Sequence, residues 1–113
     1  MADTYVPGKG DLIWIDFTPQ SGHEQAGNRP ALVISPKSYN QKIGLAILCP
    51  VTSHVKDYPF EVPLSHNSRI KGVVLSDQLK NLDWKSRNAK FIEKVDKSMF
   101  SEVIKKIYTL ISI

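Results

Sequence analysis

No interval between the apolar segments of this 113-residue chain is long enough to hold regular crossover helices. Parallel strands need a connection of a dozen or more residues, usually helical. The spacing therefore steers the chain away from an open parallel sheet and toward short strands joined by tight loops. Residues 10–17, GDLIWIDF, set the pattern: Leu12, Trp14 and Asp16 alternate with Ile13, Ile15 and Phe17. Both sets are mainly apolar, as suits a strand buried on two sides. RPALVIS, LAILCPV, FEVPL, GVVLSDQ and FIEKV read as further strands, cut by loops rich in Gly, Pro, Ser and Asn. Pro30 stands at the start of its strand, where a missing N–H does least harm, and Pro50 predicts a bulge or an edge near the end of the third strand. PKSYNQKIG reads as a turn or one short helix, and LDWKSRNAK as irregular or a short strand.

The tail changes period. Phe100, Val103, Ile104, Ile107, Leu110 and Ile111 recur at helical spacing, and Asp96 can cap the start. The expectation is a single domain over residues 1–113, mainly β with some α, built as a small barrel of short antiparallel strands followed by a C-terminal helix. The segment MADTYVPGKGD has no basic stretch leading into an apolar run, so no signal peptide is expected. The longest uncharged apolar run, IGLAILCPVTS, is about half of the roughly 20 residues a spanning helix needs. Cys49 is the single cysteine, which rules out an intrachain disulfide and agrees with a cytoplasmic location. The net charge of +4 permits a polyanionic partner without demanding one.

Chemistry gathers in three polar clusters. TPQSGHEQAGN leaves the first strand and carries His23, Glu24 and Gln25 between Gly22 and Gly27, with Arg29 at the root of the next strand. Guanidinium is planar, always charged and able to bind phosphate bidentately, and a nearby carboxylate is a reasonable proton acceptor. PVTSH places Thr52 and Ser53 after the third strand, where hydroxyls can meet phosphate oxygens. SDQ places Asp77 and Gln78 at the end of the fifth, and such side chains read base edges. Each also has an ordinary structural reading: a solvated His23 or Glu24, an ion-paired Arg29, Thr52 and Ser53 in a turn, a capping Asp77. The histidines and Cys49 have no metal-ligand spacing, and no P-loop, Gly-rich nucleotide fingerprint or nucleophile elbow occurs, so no metal or cofactor is expected.

Taken in order, GDLIWIDF, GHEQAGNRPALVISP, YN, PVTS, YPFEV, GVVLSDQ and LDW resemble the MazF/PemK/Kid family of bacterial toxins, over most of the chain. The resemblance implies a homodimer with an SH3-like barrel and a C-terminal helix. It implies a metal-independent endoribonuclease that cuts single-stranded RNA, often mRNA, at short sequences to leave 2′,3′-cyclic phosphate and 5′-hydroxyl ends. It further implies neutralisation by an antitoxin whose acidic, partly disordered tail covers the RNA groove. The family's active arginine and threonine match Arg29 and Thr52, and the acidic loop residue of part of the family matches Glu24. His23 and Asp77 match further family positions; where some relatives carry an arginine proposed as proton donor, this chain has Leu75. Phe17, His23, Gln25, Asn40, Ser53, Lys56, Asp77, Gln78 and Lys80 are the expected RNA contacts.

Two other functions remain open at this level. A CcdB-like gyrase inhibitor shares the barrel, but that family's binding end includes a C-terminal tryptophan, and the tryptophans here are Trp14 and Trp84. A nucleic-acid-binding barrel without catalysis would retain RNA and yield no cyclic-phosphate product.

Overall fold

The structure, a computed structural model, describes residues 5–18 and 27–112. Among these residues, seven strands and two helices follow one another as β1 (Asp11–Asp16), β2 (Asn28–Val33), α1 (Lys37–Ile43), β3 (Ala46–Thr52), β4 (Glu61–Pro63), β5 (Val73–Leu75), β6 (Lys80–Leu82), β7 (Lys90–Lys94) and α2 (Lys97–Ile111). The strands form one antiparallel sheet in the order β4-β5-β3-β2-β1-β7, with β6 also paired to β3. The mainly antiparallel architecture with a C-terminal helix is the expected one. Among the described residues the pairings do not close the sheet, since β4 and β7 each have one strand neighbour, so "barrel" describes it only loosely.

β1 is buried on both faces, as its double apolar pattern requires. Leu12 joins Leu32, Cys49, Val74, Val103 and Ile107 in one core layer under α2. Ile13, Ile15 and Phe17 join Ala31, Val33, Leu48 and Trp84 in the layer on the other face. Phe17 is therefore fully buried, and the expectation that it contacts RNA is overturned: no face of its ring is open to a base.

Asn40 is overturned for the same reason, with a clear structural role instead. It is fully buried in α1. Its Nδ2 donates to the carbonyls of Pro7 (2.7 Å) and Ser35 (3.1 Å), and the Ser35 hydroxyl donates to its Oδ1 (2.5 Å). Trp84 Nε1 donates to its carbonyl oxygen at 2.9 Å. A buried amide satisfied on every side ties the N-terminal segment, α1 and the turn after β6 together.

Pro50 marks neither a bulge nor an edge. β3 is a central strand: on one side it pairs with β2, and on the other with β6 through Ala46–Leu48, then with β5 through Val51 and Thr52. Pro50 lies between those two stretches, where the neighbouring strand changes and a ladder donor is dispensable. α2 begins as the sequence implies, with the Asp96 carboxylate accepting from Met99 N–H at 3.0 Å. Its buried stripe is narrower than the sequence pattern: Met99, Val103 and Ile107 face the core, whereas Ile104, Tyr108, Leu110 and Ile111 are exposed. The helix sets Met99, Val103 and Ile107 into the layer of Leu12, Leu32, Cys49 and Val74 and also meets β4, so one turn-to-turn row of its side chains is covered.

Gly72 fixes the approach of β5 to β3. Its φ is +138°, and a Cβ there would stand 2.3 Å from the carbonyl oxygen of Thr52. Gly72→Ala must both strain the backbone and push Thr52 aside, at a cost on the order of 1–3 kcal/mol or more. The expected result is a lower denaturation midpoint, read by circular dichroism, with less effect from alanine at Gly8, where an added Cβ has ordinary contacts of 3.5 Å and beyond.

Candidate active site

Arg29 and Thr52 are brought together by strand register. β2 and β3 pair Ala31 with Pro50, and β1 and β2 pair Ile15 with Arg29. Continuing the β2–β3 register by two residues sets Arg29 opposite Thr52, at the ends where both strands leave the sheet. Residues two apart share a face, so both side chains leave on one side. They line a cleft of about 490 Å³ together with Ser53, His54, Lys56, Tyr58, Glu61, Leu75, Asp77 and Gln78. The three polar clusters of the sequence thus contribute to one wall-to-wall site through Arg29, Thr52–Ser53 and Asp77–Gln78.

The loop after β3 is shaped by its own polar groups. Thr52 Oγ1 accepts the N–H of His54 at 3.1 Å, a turn that holds the hydroxyl at the rim. The Glu61 carboxylate accepts the N–H groups of Lys56 (3.1 and 3.3 Å) and Tyr58 (3.3 Å), so it caps the returning arm of the loop. From α2, the Lys106 ammonium donates to the Pro59 carbonyl at 2.5 Å. The Tyr58 hydroxyl donates to Asp77 Oδ2 at 2.5 Å and links this loop to the end of β5. Hydrogen bonding to the Asp77 carboxylate, then desolvation and its charge, raise the Tyr58 phenol above its ordinary range. Asp77 Oδ1 is buried without a partner, an acceptor left unused behind the cleft wall.

Sequence reasoning reached six of the residues of this cleft, Arg29 and Thr52 as catalytic groups and Ser53, Lys56, Asp77 and Gln78 as RNA contacts, together with the Leu75 position. It missed His54, Tyr58 and Glu61. A signal for Glu61 was present: β4 alternates Glu61 out, Val62 in and Pro63 out, which aims the carboxylate away from the core. Leu75 is buried and supplies the cleft with an aliphatic wall rather than a cation. Lys80 sits in β6 opposite Leu48 and is not among the residues that line the cleft. His23, Glu24 and Gln25 lie outside the described residues.

The roots of the segment that carries those three are firmly held. Arg87 Nη1 donates to the carbonyls of Asp16 (2.9 Å) and Thr18 (2.8 Å), and Phe17 N–H donates to Gly27 O at 2.9 Å. The Asp16 carboxylate, stabilised first by the Thr18 hydroxyl and then by Thr18 N–H, is held below its ordinary range. A separate hollow of about 280 Å³ near Ser65, Asn67 and Asp96 offers less chemistry, because its Glu93 carboxylate already accepts from Ser68 Oγ and Arg69 N–H. Among the described residues, no three of His, Cys, Asp and Glu gather as metal ligands, and no helix is long and apolar enough to cross a membrane.

Residues 8–111 match the family described as PemK-like, MazF-like toxin of type II toxin-antitoxin system. The chain belongs to that family. It is 53% identical over 89 residues to the endoribonuclease toxin MazF of Escherichia coli strain K12, covering 79% of each protein. It is 32% identical over 108 residues to the endoribonuclease PemK of Escherichia coli, covering 92% of this chain and 81% of that one. The crystal structure of MazF from Deinococcus radiodurans superposes with a TM-score of 0.93 at 48% identity, over 97% of this chain and 100% of that one. MazF in a MazE–MazF complex from the same organism superposes at 0.89, also at 48% identity, over 97% and 99%. The fold of this MazF-like chain is thus that of its solved relatives, with the cleft at the ends of β2, β3 and β5.

Behind the cleft, burial first and the Asp77 charge second push the Cys49 thiol from its ordinary 9.0 up to about 12. A thiol-specific disulfide reagent at pH 8 is expected to label the native protein far more slowly than the denatured one, because the reactive thiolate is scarce and enclosed. Since the folded value is raised, this group's contribution to stability is complete below pH 9.0 and declines as the pH climbs toward about 12. Labelling at equal rates in native and denatured protein contradicts the buried, protonated thiol.

Proposed function

We propose that this MazF-like chain is a sequence-specific endoribonuclease that cuts single-stranded RNA, mRNA included, and acts as the toxin of its pair. The observation that carries the reading is the register that puts Arg29 beside Thr52 at one end of the sheet, facing a polar cleft. The family, and the names of its relatives from Escherichia coli as endoribonucleases, support it.

The reaction needs no nucleophile from the protein, because RNA supplies its own 2′-hydroxyl. The 2′-oxygen attacks the adjacent phosphorus, the P–O5′ bond breaks, and the products are a 2′,3′-cyclic phosphate and a 5′-hydroxyl. The 2′-proton goes to a base and the leaving 5′-oxygen takes one up. Arg29 offsets the charge that builds on the phosphorane, commonly the largest catalytic contribution. Thr52 orients a phosphate oxygen. Glu24 is the proposed base, and with Leu75 in place of a relative's arginine, the proton for the leaving group is assigned to Arg29 or Glu24. This division of labour requires no metal. Single-stranded substrate fits, since a nucleotide must splay out for in-line attack and for reading of its edges. Ser53, Lys56, Asp77 and Gln78 in the cleft, with His23, Gln25 and Lys80, are the proposed RNA contacts.

The proposed partners are an acidic, partly disordered antitoxin tail, which would compete for the same cations, and a second copy of the chain. The apolar surface left open on α2 at Ile104, Tyr108, Leu110 and Ile111 is consistent with a homodimer or another protein partner. A cytoplasmic location follows from the substrate.

Incubation of a long RNA with the purified protein in EDTA, followed by sequencing of the ends, tests the reading. Cyclic-phosphate and 5′-hydroxyl ends at a recurring short sequence are expected. Arg29→Ala is expected to lower kcat roughly 10²–10³-fold with an unchanged circular dichroism spectrum. Wild-type rates in that variant remove Arg29 from the mechanism. Lys56→Ala, which takes one exposed cation from the rim, is expected to reduce the slope of log affinity against log salt by about 0.7.

A further inference from the structure

A cleft that handles single-stranded RNA needs more than phosphate ligands. Such strands are usually gripped by laying a base on an aromatic face. Phe17, one of the expected contacts, is buried and offers no face to a base. Tyr58 carries the one carbocyclic aromatic ring among the described residues that line the Arg29–Thr52 cleft, and it is 45% exposed.

An exposed tyrosine with no task is free to change rotamer, but Tyr58 is tethered at both ends. Its N–H donates to Glu61 Oε1 at 3.3 Å, and its hydroxyl donates to Asp77 Oδ2 at 2.5 Å. Its ring leans on Phe60, with centroids 5.8 Å apart and planes at 51°. The next residue, Pro59, is anchored to α2 through Lys106. The ordering of this side chain is thus complete before any ligand arrives, which removes a usual cost of binding. The hydroxyl proton is directed at Asp77, which suits a holding role better than proton transfer to substrate.

We propose that Tyr58 is the base-stacking platform of this cleft, held in place by its bond to Asp77. The inference rests on the endoribonuclease reading and adds to it the surface that receives a base. A base on that ring shares the cleft with Gln78, whose amide can donate to and accept from its edge, while Asp77 is engaged in holding the ring. Stacking tolerates any base, so Tyr58 contributes grip and its neighbours contribute choice.

The test uses single-stranded oligonucleotides with 2′-deoxyribose at the mapped cleavage position, so that they bind without being cut, and with 2-aminopurine placed at successive positions. One position is expected to be quenched by the parent protein and released from quenching by Tyr58→Leu. Tyr58→Leu is expected to weaken binding roughly 5- to 150-fold, the loss of one stacked base. Tyr58→Phe, which keeps the ring, is expected to recover most of that loss. With cleavable RNA, Tyr58→Leu is expected to raise KM with little change in kcat. No quenched position in the parent overturns the proposal, whatever the folding of the variants. Equal affinity of Tyr58→Leu and parent overturns it, and so does a Phe variant as weak as the Leu variant, which would assign the effect to the hydroxyl. In those cases RNA cleavage by the parent still stands. A parent that neither binds nor cuts RNA ends the endoribonuclease reading and this inference together.

Discussion

The pairing of β2 with β3 is the constraint on which the rest depends. Ala31 opposite Pro50 and Leu32 opposite Cys49 fix where Arg29 and Thr52 emerge, and a slip of one residue would turn one of the two side chains to the other face. That register is secured by burial, because Ala31, Leu32, Val33, Leu48 and Cys49 are completely enclosed between two core layers. Gly72 adds a second lock by letting β5 pass against the Thr52 carbonyl where no side chain fits. The position of the cleft is therefore a consequence of core packing a few residues away.

On that rigid edge stands a loop ordered by hydrogen bonds rather than by burial. Residues 53–59 are exposed, and their shape comes from Thr52 Oγ1, the Glu61 carboxylate, Asp77 and Lys106. Polar ties of this kind hold an exposed surface in one arrangement while leaving its faces open to a ligand. The tie from Lys106 means that the C-terminal helix reaches the cleft wall directly.

Much of this was legible in the chain itself. The alternation in GDLIWIDF announced a strand with two buried faces, and the switch to helical spacing after Asp96 announced α2 and its cap. Arg29, Thr52, Asp77 and their neighbours stood out because polar groups at strand ends rarely serve a core. The burial of Phe17 and Asn40 is not legible in the sequence, for one reason. A phenylalanine just past a strand and an asparagine in a short helix look the same in sequence whether they face solvent or a second core layer. Only the packing of Trp84 and Ser35 around them shows which. Tyr58 carries no signal in the sequence, because its importance lies in a bond to Asp77 that no local pattern encodes, and the alternation of β4 turns Glu61 outward without showing which backbone it caps.

The sequence by itself determined the strand and helix periods, the lack of room for regular crossover helices, the capped final helix and the identity of the reactive groups, since each follows from short-range spacing and side-chain chemistry. The tertiary structure decided which of those groups meet. It opened the sheet instead of closing it, made Pro50 an interior residue at a change of neighbours, and gave α2 a narrow buried stripe. It joined Arg29, Thr52, Ser53, Asp77 and Gln78 in one cleft with Tyr58 at its wall. Those outcomes depend on contacts between residues distant along the chain, whose geometry is set by packing the whole sheet at once.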